Sequence, residues 1–575
     1  MKSGTLHRWL PAAVAWVQAF VVLGPALGPG VVIAYDMPWS PDARWTPFVL
    51  GQDTPAPRVV PSDAVMVLLG KVLGAGLTQS LVLLAILVGL ALGAVALLEE
   101  IAPDAGLAAR CACAVAAVWN PFVSERLVIG QWVVVLGLAV LPWALRAALR
   151  TAQGTSGAYA VTLAVCVAGV GGVNSVLIVA AAVVPVLLTG LGRGTRSVLR
   201  SLAVVVATIV GVSAVWMVPS LVNSPPVSGA SADAFGPGAD TPFGVWGSLL
   251  SGGGFWNTAS HPTARSVPLI ALLAALLSLV AVASLVAEVR RSHRWPLAAP
   301  VLVGVAVVGL SAAPFARDAW SWLVTGLPGG GALRDSQKLL AIWVLALALG
   351  VGLVVERLLR VLPRAIIGSA AVGVTGLVVL LSPQMAWGMG GRLQAVDVPE
   401  GYRTAATRLS DLPPAEVGLL PWSQYRRYDW NDRRVSLTLG PRIIDQTVLF
   451  DDSLPLSSGR VDGESPRAAR VSRAIAAGAS PVQALRDAGV RYIAAELRTG
   501  LDVDVAAVRS SGVVVVDDPT LLVVDVGGGE HGASSSGPGR LGWLMSLLTA
   551  VVVITRGVVL QLRRRLPVGL LIFRP

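Results

Sequence analysis

Runs of roughly twenty apolar residues, separated by short polar or Gly- and Pro-bearing stretches, recur along the 575-residue chain. A hydrocarbon core of roughly 30 Å asks for a helix of that length. The runs predict spans near 10–34, 74–98, 105–119, 131–146, 157–172, 174–191, 201–221, 267–288, 296–313, 338–356, 365–382 and 541–562. The first is longer than a signal-peptide core and lacks a small-x-small cleavage site, so it reads as a retained span. Arginines gather at Arg146 and Arg150, Arg193 to Arg200, Arg290 to Arg294, Arg357 to Arg364 and Arg563 to Arg565, always after an even-numbered span. Placing those loops and both termini in the cytoplasm satisfies the positive-inside rule.

The opposite side carries everything that looks structured or chemical. A Trp- and Pro-rich connection occupies 35–63, followed by outer loops at 120–131, 223–265 and 314–337. The stretch 383–540 is long enough for a small module of its own. Its β-branched runs at 489–497 and 512–526 predict strands and 472–488 predicts a helix, hence a mixed α/β module outside the membrane. The Gly- and Ser-rich stretch 527–539 reads as a tether to the last span, which ends the chain with a basic cytoplasmic tail within 541–575. No internal repeat suggests the inverted halves of a transporter.

Composition sharpens the class. With 54% hydrophobic and 13% charged residues, against roughly 25% charged in a soluble domain, the chain reads as a polytopic α-helical membrane protein of about twelve spans with a small extracytoplasmic α/β module. The formal charge of +11 comes from arginine, since Lys2, Lys71 and Lys338 are the only lysines; cytoplasmic loops account for it better than nucleic-acid binding. Cys111, Cys113 and Cys166 fall inside apolar runs without histidine neighbours, so neither a disulfide framework nor a metal site is implied. No P-loop, nucleophile elbow, HExxH or dinucleotide fingerprint stands in the required context.

Three stretches carry candidate chemistry. WNPFVSERLVIGQW at 119–132 puts Asn120, Pro121, Glu125, Arg126 and Gln131 between two apolar runs. Pro121 is expected to end the third span, and the turn to dip into the membrane plane, where Glu125 and Arg126 line a cavity or, on the plainer reading, meet headgroups. VIAYDMPWSPDARW at 32–45 places Tyr35 and Asp36 just after the first span, with Asp42 as a second acid; either can serve as a base at the membrane surface, or be a loop acid beside the interface anchors Trp39 and Trp45. LPGGGALRDSQKLLAIW at 327–343 brings Arg334, Asp335, Ser336, Gln337 and Lys338 to the start of a span. Ser336 or Asp335 can cap that helix, while its N-terminus with Arg334 and Lys338 can hold a phosphate, or Lys338 can simply snorkel. Asn174, in GGVNS at 171–175, reads as a cap at a tight turn, His261 as a surface residue, and the aromatic and basic run at 421–434 as a solvated loop or a sugar-stacking one.

Together, YD at 35–36, NPFVSERLVIGQW at 120–132, GGVN at 171–174 and LRDSQK at 333–338 resemble the membrane part of actinobacterial GT-C glycosyltransferases related to arabinofuranosyltransferases, over about the first 380 residues. The resemblance implies an inverting transfer, at the outer face of the plasma membrane, of a sugar from a polyprenyl-phosphate donor to an envelope glycan or glycolipid acceptor. It makes Asp36 the base, assigns Arg334 and Lys338, with Arg126, to the donor phosphate, and lets Tyr35, Asn120, Glu125, Gln131, Asn174 and Asp335 line the cavity. No cofactor follows. A divalent cation has no support, because Asp36, Met37 and Pro38 replace a D-x-D acidic pair. The large carbohydrate-binding extensions of related transferases are absent, so a flippase for an envelope lipid precursor, or a non-catalytic assembly scaffold, stands as the alternative.

Overall fold

A computed structural model describes residues 3–53, 57, 59–154, 157–192, 194–223, 229–456, 459–528 and 536–565. The chain is a multi-pass helical membrane protein. All twelve apolar windows contain helix, and among the described residues nine helices are long and apolar enough to cross a bilayer. Two shorter apolar helices, Ala158–Val170 and Gly172–Leu188, pack between them, and the window at 365–382 leads into a broken pair bent by 72°. Part of the expected tether, 529–535, and the tail beyond 565 lie outside the described residues.

The first span ends earlier than its hydropathy suggests. The helix Ser3–Leu23 is followed by a short 3-10 turn, Gly24–Leu27, and the apolar residues Val31–Ala34 form a strand. The GPALGPG run breaks the helix, and the β-branched residues after it find a partner in Ala395–Val396, with Val31 opposite Val396. Gly30, at φ +95°, has room for no side chain, because a Cβ would sit 2.3 Å from the Val396 carbonyl oxygen. Buried Gln79, from the next membrane helix, accepts from the Val32 amide at 2.7 Å and donates to its carbonyl at 3.0 Å. A polar side chain inside an apolar helix thus satisfies strand backbone that would otherwise be orphaned near the membrane.

The third span also departs from expectation. Pro121 opens a second helix, Pro121–Val128, rather than a loop, so only Asn120 and residues 129–131 of the anticipated connection are irregular. Asn120 makes the joint: its side-chain oxygen accepts from the Val123 amide at 3.0 Å and its nitrogen donates to the Ala117 carbonyl at 2.9 Å. That is an N-cap on one helix and a partner for the end of the other.

The outer module holds a five-stranded sheet in the order Val513–Asp517, Leu521–Asp525, Tyr492–Glu496, Val417–Leu420, Val448–Leu449. The last three strands run parallel and the first three antiparallel. The single helix expected at 472–488 is two, Pro466–Ala476 and Pro481–Asp487, divided at Gly478 with φ +96° and recapped by Ser480. One apolar core runs without interruption from membrane helices into this module, reaching Tyr402, Val417, Tyr492 and Val523. The first outer connection stitches the two parts further, through Arg442 to Asp63 at 2.7 Å and Asn431 to the Ile33 carbonyl at 2.9 Å.

Candidate active site

Asp36 stands at the tip of a hairpin. Val31–Ala34 pairs with Met37–Pro38, Ala34 facing Met37, so Tyr35 and Asp36 form a two-residue turn. Tyr35 occupies the left-handed region at φ 41°, a strained conformation for a residue with a bulky side chain. Tertiary hydrogen bonds hold it there: the Tyr35 amide donates to the Val435 carbonyl at 2.7 Å, and its carbonyl accepts from Leu437 at 3.0 Å. The Asp36 amide donates to the Ile129 carbonyl at 3.0 Å. Gly130 allows that approach, since a Cβ there would lie 2.5 Å from the Met37 nitrogen. Sequence and fold together therefore bring the Asp36 turn against the end of the Pro121–Val128 helix.

A polar relay runs on from this turn. Gln131 Nε2 donates to Asp36 Oδ2 at 3.1 Å, and Gln131 Oε1 accepts from Arg126 Nη1. Arg126, fully buried, forks onto Asp335 with Nη1 to Oδ2 at 2.6 Å and Nη2 to Oδ1 at 3.0 Å, and Nη2 also reaches Gln337 Oε1. Its flat faces meet the rings of Phe255, 4.1 Å away, and Phe122, 5.4 Å away. Burial pushes the Asp335 carboxyl up, but the Arg126 guanidinium and, more weakly, Lys338 and Arg334 outweigh it and hold the group below the usual range. Lys338 Nζ donates to Asn174 Oδ1 and to the Ala332 carbonyl, both at 2.8 Å. Arg334 lies 4.9 Å over the Phe235 ring and 3.8 Å from Glu464 of the outer module.

Tyr35, Asp36, Gln131, Asn174, Arg334, Asp335 and Lys338 all line one cavity of about 2000 Å³. Its walls grade from apolar, at Trp216, Met217 and Leu221 with Val324 and Leu327, to polar residues of the outer module such as Gln424, Arg427 and Asp452. Four of the candidate residues stand elsewhere. Asp42 carries an ion pair with Arg403 at 3.1 Å and does not reach the cavity. Asn120 is the helix joint described above. Arg126 and Glu125 are sealed behind the cavity wall, which corrects the expectation that they line it. The buried Glu125 carboxyl lies against the buried Asp240–Arg265 pair, with Asp240 as its hydrogen-bonding neighbour. Asp335 does not cap the following helix, its oxygens being committed to Arg126, and Asn174 holds Lys338 instead of capping.

Sequence reasoning missed the cavity's outer wall. Ser423 to Arg427, read as a solvated loop, face it, and so do Asp53, Asp63, Glu416 and Arg467. Burial, with Glu416 nearby, pushes the Asp53 carboxyl up to about 7 against a weaker opposing hydrogen bond from its own backbone. Only the alternation of aromatic and charged residues at 421–434 hinted at this wall. Among the described residues, no group of three or more His, Cys, Asp or Glu side chains could hold a metal ion.

The fold matches that of the arabinofuranosyltransferase AftD from mycobacteria, solved by single-particle cryo-EM, with a TM-score of 0.59 and 16% identity over 92% of this chain and 40% of that one. A mutant of the same enzyme matches at a TM-score of 0.57, with 16% identity over 91% of this chain and 42% of the other. The chain thus spans about 40% of the length of that enzyme, and the likeness is one of fold. No family model and no curated protein sequence matches. The expected architecture, a polytopic helical part joined to a small α/β module, is the one the chain adopts.

Proposed function

We propose that this chain is a GT-C membrane glycosyltransferase, which transfers a sugar from a polyprenyl-phosphate donor to an envelope glycan or glycolipid at the outer face of the plasma membrane. The arginine-rich loops and both termini then lie in the cytoplasm and 383–540 outside. One observation carries the reading: an exposed carboxylate, Asp36, and two cations, Arg334 and Lys338, come from connections about 300 residues apart and line a single cavity whose lining also includes apolar side chains such as Trp216, Met217 and Leu221. The chain's likeness in fold to AftD supports it.

The chemistry follows from that placement. Asp36 accepts the proton of the acceptor hydroxyl as its oxygen attacks the anomeric carbon, and the bond from that carbon to the phosphate oxygen breaks on the opposite face, inverting the centre. The departing polyprenyl phosphate takes the bond's electron pair, and Lys338 and Arg334 stabilise the growing negative charge more in the transition state than in the bound donor. Trp216, Met217 and Leu221 offer the isoprenoid an apolar wall. Asp36→Asn is expected to lower transfer by about 10²- to 10⁴-fold, the usual worth of a positioned base, while the extracted protein keeps its melting temperature. Transfer that survives this substitution would remove Asp36 from the mechanism.

A further inference from the structure

Arg126 does not touch the cavity, yet it touches what holds both ends of the proposed chemistry. A guanidinium can only donate, so the Gln131 amide must turn its oxygen toward Arg126 and its nitrogen toward Asp36. The flip of that amide, and with it the hydrogen bond that orients the Asp36 carboxylate, is dictated from behind the wall. On its other side Arg126 occupies both oxygens of Asp335. Asp335 lies three residues before Lys338 and feels its charge. Released from Arg126, it would swing onto that ammonium and neutralise the cation meant for the phosphate. Phe255, Phe122 and Gln337 pack around the guanidinium and hold it in this position.

We infer that Arg126 is the positioning residue of the proposed transferase: one buried guanidinium sets the Gln131 amide that orients Asp36, and keeps Asp335 from quenching Lys338. The inference rests on the transferase reading. It makes base and phosphate pocket separable by mutation even though a single side chain organises both.

The test uses the full chain in lipid nanodiscs, with farnesyl phosphate as the probe of the phosphate pocket. Farnesyl-phosphoryl arabinofuranose or mannose, with an alkyl glycoside acceptor, probes turnover. Gln131→Leu removes no charge and should lower kcat by about 10- to 100-fold, the usual effect of losing an outer-shell partner, with farnesyl phosphate affinity and donor KM unchanged. Arg126→Met should lower kcat similarly and also weaken farnesyl phosphate binding about tenfold. Adding Asp335→Asn to Arg126→Met should restore the affinity and leave kcat low. Arg126→Lys, which keeps a charge beside Asp335 but not the fork, should retain affinity and lose turnover, and it decides the question if Arg126→Met does not fold.

Gln131→Leu with wild-type kcat overturns the base half of the inference. A double variant, or Arg126→Lys, that stays weak for farnesyl phosphate overturns the phosphate half. A wild-type chain that transfers neither sugar sinks the transferase reading itself, whereas turnover that depends on Asp36 but ignores Gln131 and Arg126 sinks only this role.

Discussion

Two fully buried arginines, one in the outer module and one at the membrane boundary, use the same chemistry to opposite ends. Arg426 donates to Glu496 Oε2 at 2.6 Å, to the Pro421 carbonyl at 3.0 Å, and to the carbonyls of Ser423 and Tyr425. Glu496 accepts in addition from Tyr428 Oη and Thr438 Oγ1, both at 2.9 Å. Every one of these partners belongs to the module itself. Burial, with Glu496 beside it, raises the Tyr428 phenol well above its ordinary range, so it stays a donor at any accessible pH. Although Arg426, Ser423, Tyr425 and Thr438 also line the cavity, the network stays within the module and acts as a staple.

Arg126 is equally buried but joins two connections, bonding Gln131 of its own and Asp335 and Gln337 of another, and Gln131 and Asp335 line the cavity. Its Nε has no hydrogen-bond partner among the described residues. Unsatisfied groups of this kind cost stability, and interiors built for stability avoid them. The contrast teaches that an ionic network confined to one module holds that module together, whereas one that joins separate connections can set the geometry of a site.

Mutation can break or sharpen that contrast. Arg426→Met strands Glu496 in the module interior and is expected to destabilise by about 3–5 kcal/mol, read as a large fall in the unfolding midpoint of the detergent-extracted protein. Lys338→Met should do the converse. It removes a charge-assisted contact worth about 1.5–3 kcal/mol to a bound phosphate, so farnesyl phosphate binding weakens by about 10- to 100-fold, while water in the cavity replaces the lost partner of Asn174 and the melt shifts little.

A third effect appears with pH, at the seam where Asp53 and Glu416 share the cavity wall. With its carboxyl raised from 3.8 to about 7, folded Asp53 holds its proton more tightly than the unfolded chain does. Folding takes up a proton between those values, so Asp53's share of stability falls as pH rises through that window and levels off above it. Asp53→Asn should flatten that decline in a pH series of thermal melts, and an unchanged slope would contradict it. The smallest effect belongs to Asp42→Ala. Its exposed pair with Arg403 is worth about 0–1 kcal/mol, and transfer should match wild type because Asp42 stands outside the cavity.

Much of the site was legible in local sequence, but not the reason for it. Asp36, Lys338 and Arg334 stood out because charges at the ends of apolar runs need explaining. Glu125 and Arg126 stood out for the same reason, yet the short helix beginning at Pro121 carried them behind the wall instead of onto it. A hydropathy window cannot see that, because a proline is equally consistent with ending one helix or opening the next. The strand at Val31–Ala34 was hidden in the same way: its residues are as apolar as the helix before it, and pairing makes it a strand, with Met37–Pro38 in a hairpin and with Ala395–Val396 over 360 positions away.

By itself, then, the amino-acid order determined the membrane class, the helical windows, the three antiparallel strands of the outer module's main sheet and the handful of charges worth asking about. Those follow from local hydropathy and propensity, which act over a few neighbouring residues. The tertiary structure alone decided which charges meet. Asp36, Gln131, Arg126 and Asp335 belong to three connections, and their relay exists only because helix packing and the strand pairing at the first outer turn bring those connections together. Ion pairs and hydrogen bonds reach only a few ångströms, so no periodicity along the chain can encode which distant side chain will lie within that reach.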